Sequence, residues 1–137
     1  MSNKRIKIDI SDSDSENDND KTKVNVPFYK LIPNTPISVD AFSYGKINNV
    51  SCYLLSHAHS DHYTKLNKNW NFGKIYCSEV TAKLIKSICK VDDDYIVPLK
   101  FNVVYDLPTD IKLTLIDANH CPGQSFNYIY MLFLLIH

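Results

Sequence analysis

The sequence predicts an α+β sandwich on three observations. Short β-prone runs follow one another along the chain, one stretch repeats its apolar residues at helical spacing, and no internal repeat occurs. Residues 37–42 and 50–55 are apolar, β-prone and followed by polar loops, and 74–77 is a third short run. Ser78 then stands where a helix N-cap belongs, with Glu79 in the first turn. Val80, Leu84, Ile85 and Ile88 recur at helical spacing, which predicts an amphipathic helix over 79–90 with these residues on its apolar face. Asp92, Asp93 and Asp94 break it. Residues 95–99, 101–105 and 111–116 read as further strands, the last with Ile111, Leu113 and Leu115 alternating. Residues 125–136 are apolar on both faces, as expected of a strand buried inside a sandwich.

Composition narrows the class. The 137 residues suffice for one domain, and 45% hydrophobic with 22% charged residues is close to the globular average. Fifteen basic and fifteen acidic residues balance, so overall charge announces no nucleic-acid or membrane partner. The longest apolar run, 128–136, falls well short of the roughly 20 residues that cross a bilayer. The N-terminus lacks the apolar core of a signal peptide, and the four cysteines contain no Cys-x-x-Cys pair. A soluble, intracellular chain with reduced thiols is expected, without a membrane partner.

Neutrality conceals a division. Residues 1–24 carry five basic and six acidic side chains and no aromatic, so they are expected to form a disordered acidic tail. Within it, Ile6, Ile8 and Ile10 alternate ahead of acidic serines, which resembles a SUMO-interacting motif. Residues 6–15 are thus a candidate site for a SUMO-type partner that would gain a strand at its sheet edge. Ser11, Ser13 and Ser15 each have an acid three residues on, the pattern of an acidophilic kinase site. Residues 25–137 are the globular part.

The chemistry concentrates in two segments. The run 50–55 leads directly into Ser56-His-Ala-His-Ser-Asp-His62, where His57 and His59, two apart in extended chain, can face one point. Asp61 and His62 are adjacent and can reach a second point beside it. Three imidazoles and a carboxylate within six residues form a borderline-soft ligand set that suits zinc. The second segment, Asp117-Ala-Asn-His-Cys-Pro-Gly123, places His120 at a strand end before a tight turn. Cys121 beside it reads as a small half-buried thiol, and Cys52 and Cys77 as core.

These segments, with Val39-Asp-Ala-Phe-Ser-Tyr44 and Ile75-Tyr-Cys-Ser-Glu79, follow one another in the order of the DNA cross-link repair nucleases. The chain resembles that branch of the metallo-β-lactamase/β-CASP group, to which Artemis also belongs, over roughly residues 26–125. The resemblance implies an αββα metallo-β-lactamase sandwich, of which only the first half is expected here, without the β-CASP domain. It implies that Asp40 supports the metal loop, that His57, His59 and His120 hold a first zinc, and that Asp61 and His62 belong to a second. The implied activity is 5′-to-3′ hydrolysis of damaged or single-stranded DNA from a 5′-phosphate, in the nucleus. The zinc would activate water for in-line attack at phosphorus, with Asp61 as ligand or proton acceptor and Asp40 behind it.

Charge patterning points to phosphate independently. Between Tyr63 and Val91, six lysines face one acid, Glu79, with Trp70 and Phe72 among them. Lys65, Lys68, Trp70 and Lys74 are therefore candidate DNA contacts, while Lys83, Lys86 and Lys90 equally suit a solvated helix face. The family continues after Cys-Pro-Gly towards a Thr-Gly-Asp whose aspartate bridges the metals; this sequence contains none. A truncated copy with little hydrolytic activity of its own is expected. Two rivals stand beside it: another hydrolase of this fold, such as an RNA-processing nuclease, and a non-catalytic metal-binding or interaction protein.

Overall fold

The computed structural model describes residues 25–108, 110–119, 121, 123 and 125–130. The proposed tail lies outside them, as do His120 and residues 131–137. Four parallel strands form the first sheet: β1 (Ile37–Val39), β2 (Cys52–Leu54), β3 (Lys74–Ser78) and β4 (Ile96–Leu99), in that spatial order. Three antiparallel strands form the second: β5 (Val104–Asp106), β6 (Lys112–Asp117) and β7 (Ser125–Tyr130). The helix α1 (Glu79–Cys89) joins β3 towards β4.

Alternation along the parallel strands builds two cores. Tyr53, Ile75 and Cys77 point to one face and meet Ala82 and Ile85 of α1. Their neighbours Cys52, Leu54 and Tyr76, with Ile37 and Leu99, point to the other face and meet Leu107, Ile111, Leu113 and Leu115. The result is three layers, helix on parallel sheet on antiparallel sheet. Every residue of β2 is buried, which is why its sequence reads as an unbroken apolar run rather than an alternating one.

Three expectations are corrected in detail. The run 37–42 leaves the extended conformation at Asp40, whose φ of 49° is left-handed, and Phe42 lies in a single helical turn, Phe42–Tyr44. Phe101 pairs with Leu115 only through an isolated bridge. The third concerns α1, which buries Thr81, Ala82 and Ile85 but leaves Val80, Leu84 and Ile88 at 42, 41 and 56% exposure. Small Thr81 and Ala82 let the helix approach the sheet closely, and the hydroxyl of Thr81 is satisfied there by hydrogen bonds.

An aromatic cluster anchors the segment between the histidine loop and β3. Trp70 is only 4% exposed and meets the rings of Tyr53 and Phe42 at 4.8 and 5.2 Å, while its indole N–H donates to the Gly73 carbonyl at 2.9 Å. Glycine is required at 73, because a Cβ would come within 2.7 Å of the Ser51 carbonyl oxygen. No helix among the described residues is long and apolar enough to cross a membrane.

Two buried acids tie stability to alkaline pH. Burial pushes the Cys77 thiol from 9.0 up to about 12. Burial, and then the charge and hydrogen bond of neighbouring Cys52, push the Tyr76 hydroxyl from 10.0 to about 12. Each raised group holds its proton in the folded chain where the unfolded chain has released it. Their stabilisation is complete below the unfolded values and is lost as pH rises through the folded ones. The urea midpoint followed by circular dichroism should therefore hold to about pH 8.5 and then fall steadily, and Cys77→Ala should flatten part of that slope. Parallel profiles for the two proteins would contradict this.

Candidate metal centre

Because β1, β2 and β3 are parallel, their carboxyl ends share one edge, where such sheets bind ligands. Asp40 follows β1 there, the loop 56–62 follows β2, and Ser78 ends β3. The Asp40 N–H donates to the Leu54 carbonyl at 2.9 Å and the Leu55 N–H to that of Tyr76 at 3.0 Å, so both loops start from fixed backbone. Lys30 Nζ donates to the Asp40 carbonyl at 2.5 Å and secures the left-handed turn from outside.

One carboxylate organises the histidines. Asp40 Oδ1 accepts the Ser56 N–H at 2.8 Å, and Oδ2 accepts the Ser56 hydroxyl at 2.7 Å. The same Oδ2 lies 2.7 Å from His62 Nδ1. A carboxylate only accepts, so His62 carries a proton on Nδ1 and turns Nε2 outward, towards the Asp61 carboxylate. The Ser56 proton is committed to Asp40, so its oxygen, 2.9 Å from His57 Nδ1, accepts from that ring. His57 consequently presents Nε2 as an acceptor, 2.9 Å from His59 Nδ1. Through one direct and one relayed hydrogen bond, Asp40 sets the tautomers of two imidazoles, as carboxylates behind metal-binding histidines do.

The structure separates the sequence-predicted residues into groups. His57 is buried, and ligand atoms of His57, His59 and Cys121 all lie within 4.8 Å of one another. Bonds of 2.0–2.3 Å to one tetrahedral ion would space its ligands by about 3.3–3.8 Å, so the three fit a metal ion. Asp61 stands apart, with a carboxylate 79% exposed and 3.4 Å from His62 Nε2. Asp40 makes no part of that three-residue group; its hydrogen bonds position the loop. His120 lies outside the described residues, and its neighbour Cys121 is the ligand type that sequence reasoning passed over. The signal was present in its adjacency to His120, but a cysteine beside a histidine is ordinarily packing.

Of the expected DNA contacts, Lys65 and Lys68 are exposed. Trp70 is 4% exposed, its rings largely enclosed by Phe42 and Tyr53, and what remains of it lines a small surface pocket. Lys74 begins β3 at the opposite end from the histidines, and its ammonium donates to the Asp94 carbonyl.

The second segment is fastened by α1. The Ser78 and Thr81 hydroxyls both donate to the Gly123 carbonyl, at 2.7 and 3.1 Å, while Ser78 Oγ caps the helix by accepting the Thr81 N–H. Gly123 has φ 85°, and a Cβ there would lie 2.8 Å from that of Val80, so glycine alone permits the approach. The helix start thus holds the turn that carries Cys121.

No family model matches the chain. Curated proteins do: it is 52% identical over 101 residues to the DNA cross-link repair protein pso2/snm1 of Schizosaccharomyces pombe, across 73% of this chain and 18% of that protein. It is 46% identical over 106 residues to the DNA cross-link repair protein SNM1 of Arabidopsis thaliana, across 77% of this chain and 22% of that one. Over about three quarters of its length the chain is homologous to DNA cross-link repair proteins. A further relative is the 5′ exonuclease Apollo of Danio rerio, 40% identical over 100 residues, 69% of this chain and 18% of that protein. The chain therefore spans about a fifth of these relatives' length, 18–22%.

Two outcomes are expected. Asp40→Asn keeps the size and tolerates the left-handed backbone but replaces an acceptor by a donor, so metal affinity in a competition titration should fall about 10- to 100-fold. Equal affinities would sink the tautomer assignment. Ser78→Ala combined with Thr81→Val should also weaken metal binding, and Ser78→Thr should preserve it, because one hydroxyl suffices to hold Gly123.

Proposed function

We propose that the chain is the first part of the metallo-β-lactamase domain, residues 25–137, of a zinc-dependent 5′-to-3′ DNA exonuclease acting in interstrand cross-link repair in the nucleus. The observation that carries this reading is the meeting of two metal-binding segments, His57 with His59 and the turn of Cys121, at the carboxyl edge of a parallel sheet. The relatives, cross-link repair proteins and a 5′ exonuclease, suggest the substrate class. DNA with a 5′-phosphate is the proposed partner. The SUMO-type partner of residues 6–15 falls outside the described residues, and nothing in the structure or the comparisons supports it.

His57, His59 and His120, with Cys121 alongside, would hold the first ion, and Asp61 with His62 a second. When bound, zinc supplies Lewis acidity at the phosphate and acidifies water. The chain's own groups do the rest. Asp40 keeps both imidazoles in the ligating tautomer, through Ser56 for His57 and directly for His62. Asp61, exposed beside His62, is placed to accept a proton from attacking water. Lys65 and Lys68 add positive charge for the phosphodiester backbone.

A second reading has an observation of its own: the cluster includes a cysteine thiol, a donor common among structural zinc ligands, which favours a metal-holding protein without hydrolysis. One assay separates the two. With zinc, 5′-phosphorylated single-stranded DNA should shorten from its 5′ end. EDTA or His57→Ala with His59→Ala should reduce the rate at least about a hundredfold, and RNA should be the poorer substrate. DNA left intact by chain that binds zinc stoichiometrically would select the structural reading.

A further inference from the structure

Trp70 is buried, yet the segment that carries it forms a second feature beside the metal centre. Between His62 and Glu79 there are three lysines and no acid. Within this stretch a concave pocket of about 260 Å³ opens between Phe72 and Lys65, with the rings of Phe42 and Trp70 as its inner wall. Asn67 and Asn69 stand at the rim, and Gly45 lies under the Phe72 ring. Phe72 packs against Trp70 edge-on at 5.0 Å and keeps 37% of its surface exposed, so the ring is braced from behind and open in front.

The rim is fixed before any ligand arrives. Lys65 holds a left-handed φ of 67°, and its carbonyl accepts the Asn67 side-chain amide at 2.8 Å. Asn67 Oδ1 accepts the Asn69 N–H at 2.9 Å, and the Trp70 N–H donates to the Asn67 carbonyl at 3.1 Å. The side-chain amide of Asn69 and the ammonium of Lys65 line the opening. An aromatic face, an amide with both donor and acceptor, and a cation, with no acid among the lining residues, are together the chemistry of a nucleotide: base, base edge and phosphate.

We propose that this pocket takes one unstacked base of a DNA single strand, stacked on Phe72 with its phosphate at Lys65. Phe72 is thus the stacking residue of the segment, and Trp70 braces it from behind. Lys65 is three residues from His62, so their Cα atoms lie within about 11 Å, and a strand held here passes close to the histidine loop. The site rests on the reading of DNA as substrate and deepens it, since it would hold the strand near the point of cleavage.

Trp70 is the single tryptophan of the chain and lines the pocket, so its emission reports on occupancy. The zinc-loaded chain is titrated with a hydrolysis-resistant phosphorothioate oligothymidylate carrying a 3′ label, read by label anisotropy and by tryptophan emission. Emission should change in step with anisotropy, and an abasic strand of equal length should bind weakly and leave emission unaltered. Phe72→Ala should weaken binding at least about fivefold, and Phe72→Tyr should restore it. Anisotropy that rises while emission stays constant, with the abasic strand bound equally well, would remove the pocket and leave the DNA reading standing. No rise in anisotropy would overturn both. Should Phe72→Ala not fold, the comparison of the two strands on the unaltered chain still decides.

Discussion

The carboxylate of Asp40 is the point on which the centre turns. It accepts three hydrogen bonds, two from Ser56 and one from His62. These stop the loop at the carboxyl end of β2 from choosing its own conformation. They also decide which nitrogen of each ring is bare, which no amount of histidine enrichment could do. The backbone shares in this: the left-handed φ of Asp40 turns the chain out of β1 so that its side chain lies across the end of β2. A β-branched residue could adopt that conformation only at a cost, whereas aspartate tolerates it.

The layers follow the same logic of placing a polar edge on an apolar support. Parallel strands buried on both faces give β2 and β3 carboxyl ends that cannot slide, because a one-residue slip would exchange Tyr53 and Leu54 between two different cores. The helix then serves twice. Ala82 and Ile85 complete one core, and the first turn, through Ser78 and Thr81, grips Gly123 from across the sheet.

The histidine loop was legible because its information is local: four potential ligands fall within six residues, after an apolar run. Strand positions were legible for a similar reason, though their ends were not, since Asp40 ends β1 by a backbone conformation that the neighbouring apolar residues do not announce. Asp40 itself was reached by resemblance, and its work became visible only when Ser56 and His62 were placed around it. That Trp70 is largely enclosed was not legible, because the lysines beside it are close in sequence, whereas the rings that enclose it, Phe42 and Tyr53, come from elsewhere in the chain. For α1 the period was correct and the phase was not. Four branched side chains suggested one face, but of these only Ile85 is buried, and a threonine that donates to Gly123 and an alanine were the better fit to the sheet.

His57 and Cys121 are 64 positions apart in the sequence, and four of the seven strands, with α1, lie between them. Any ion shared by the two is therefore a cross-link across that interval, present only while both sheets and the helix are in register. Free ion at a hundred times its dissociation constant would add about 2.7 kcal/mol to the folded state, comparable to what a disulfide closing a loop of that length contributes. An occupied centre would then lengthen the chain's survival under proteolysis, and a lapse in metal supply would be felt as lost protein.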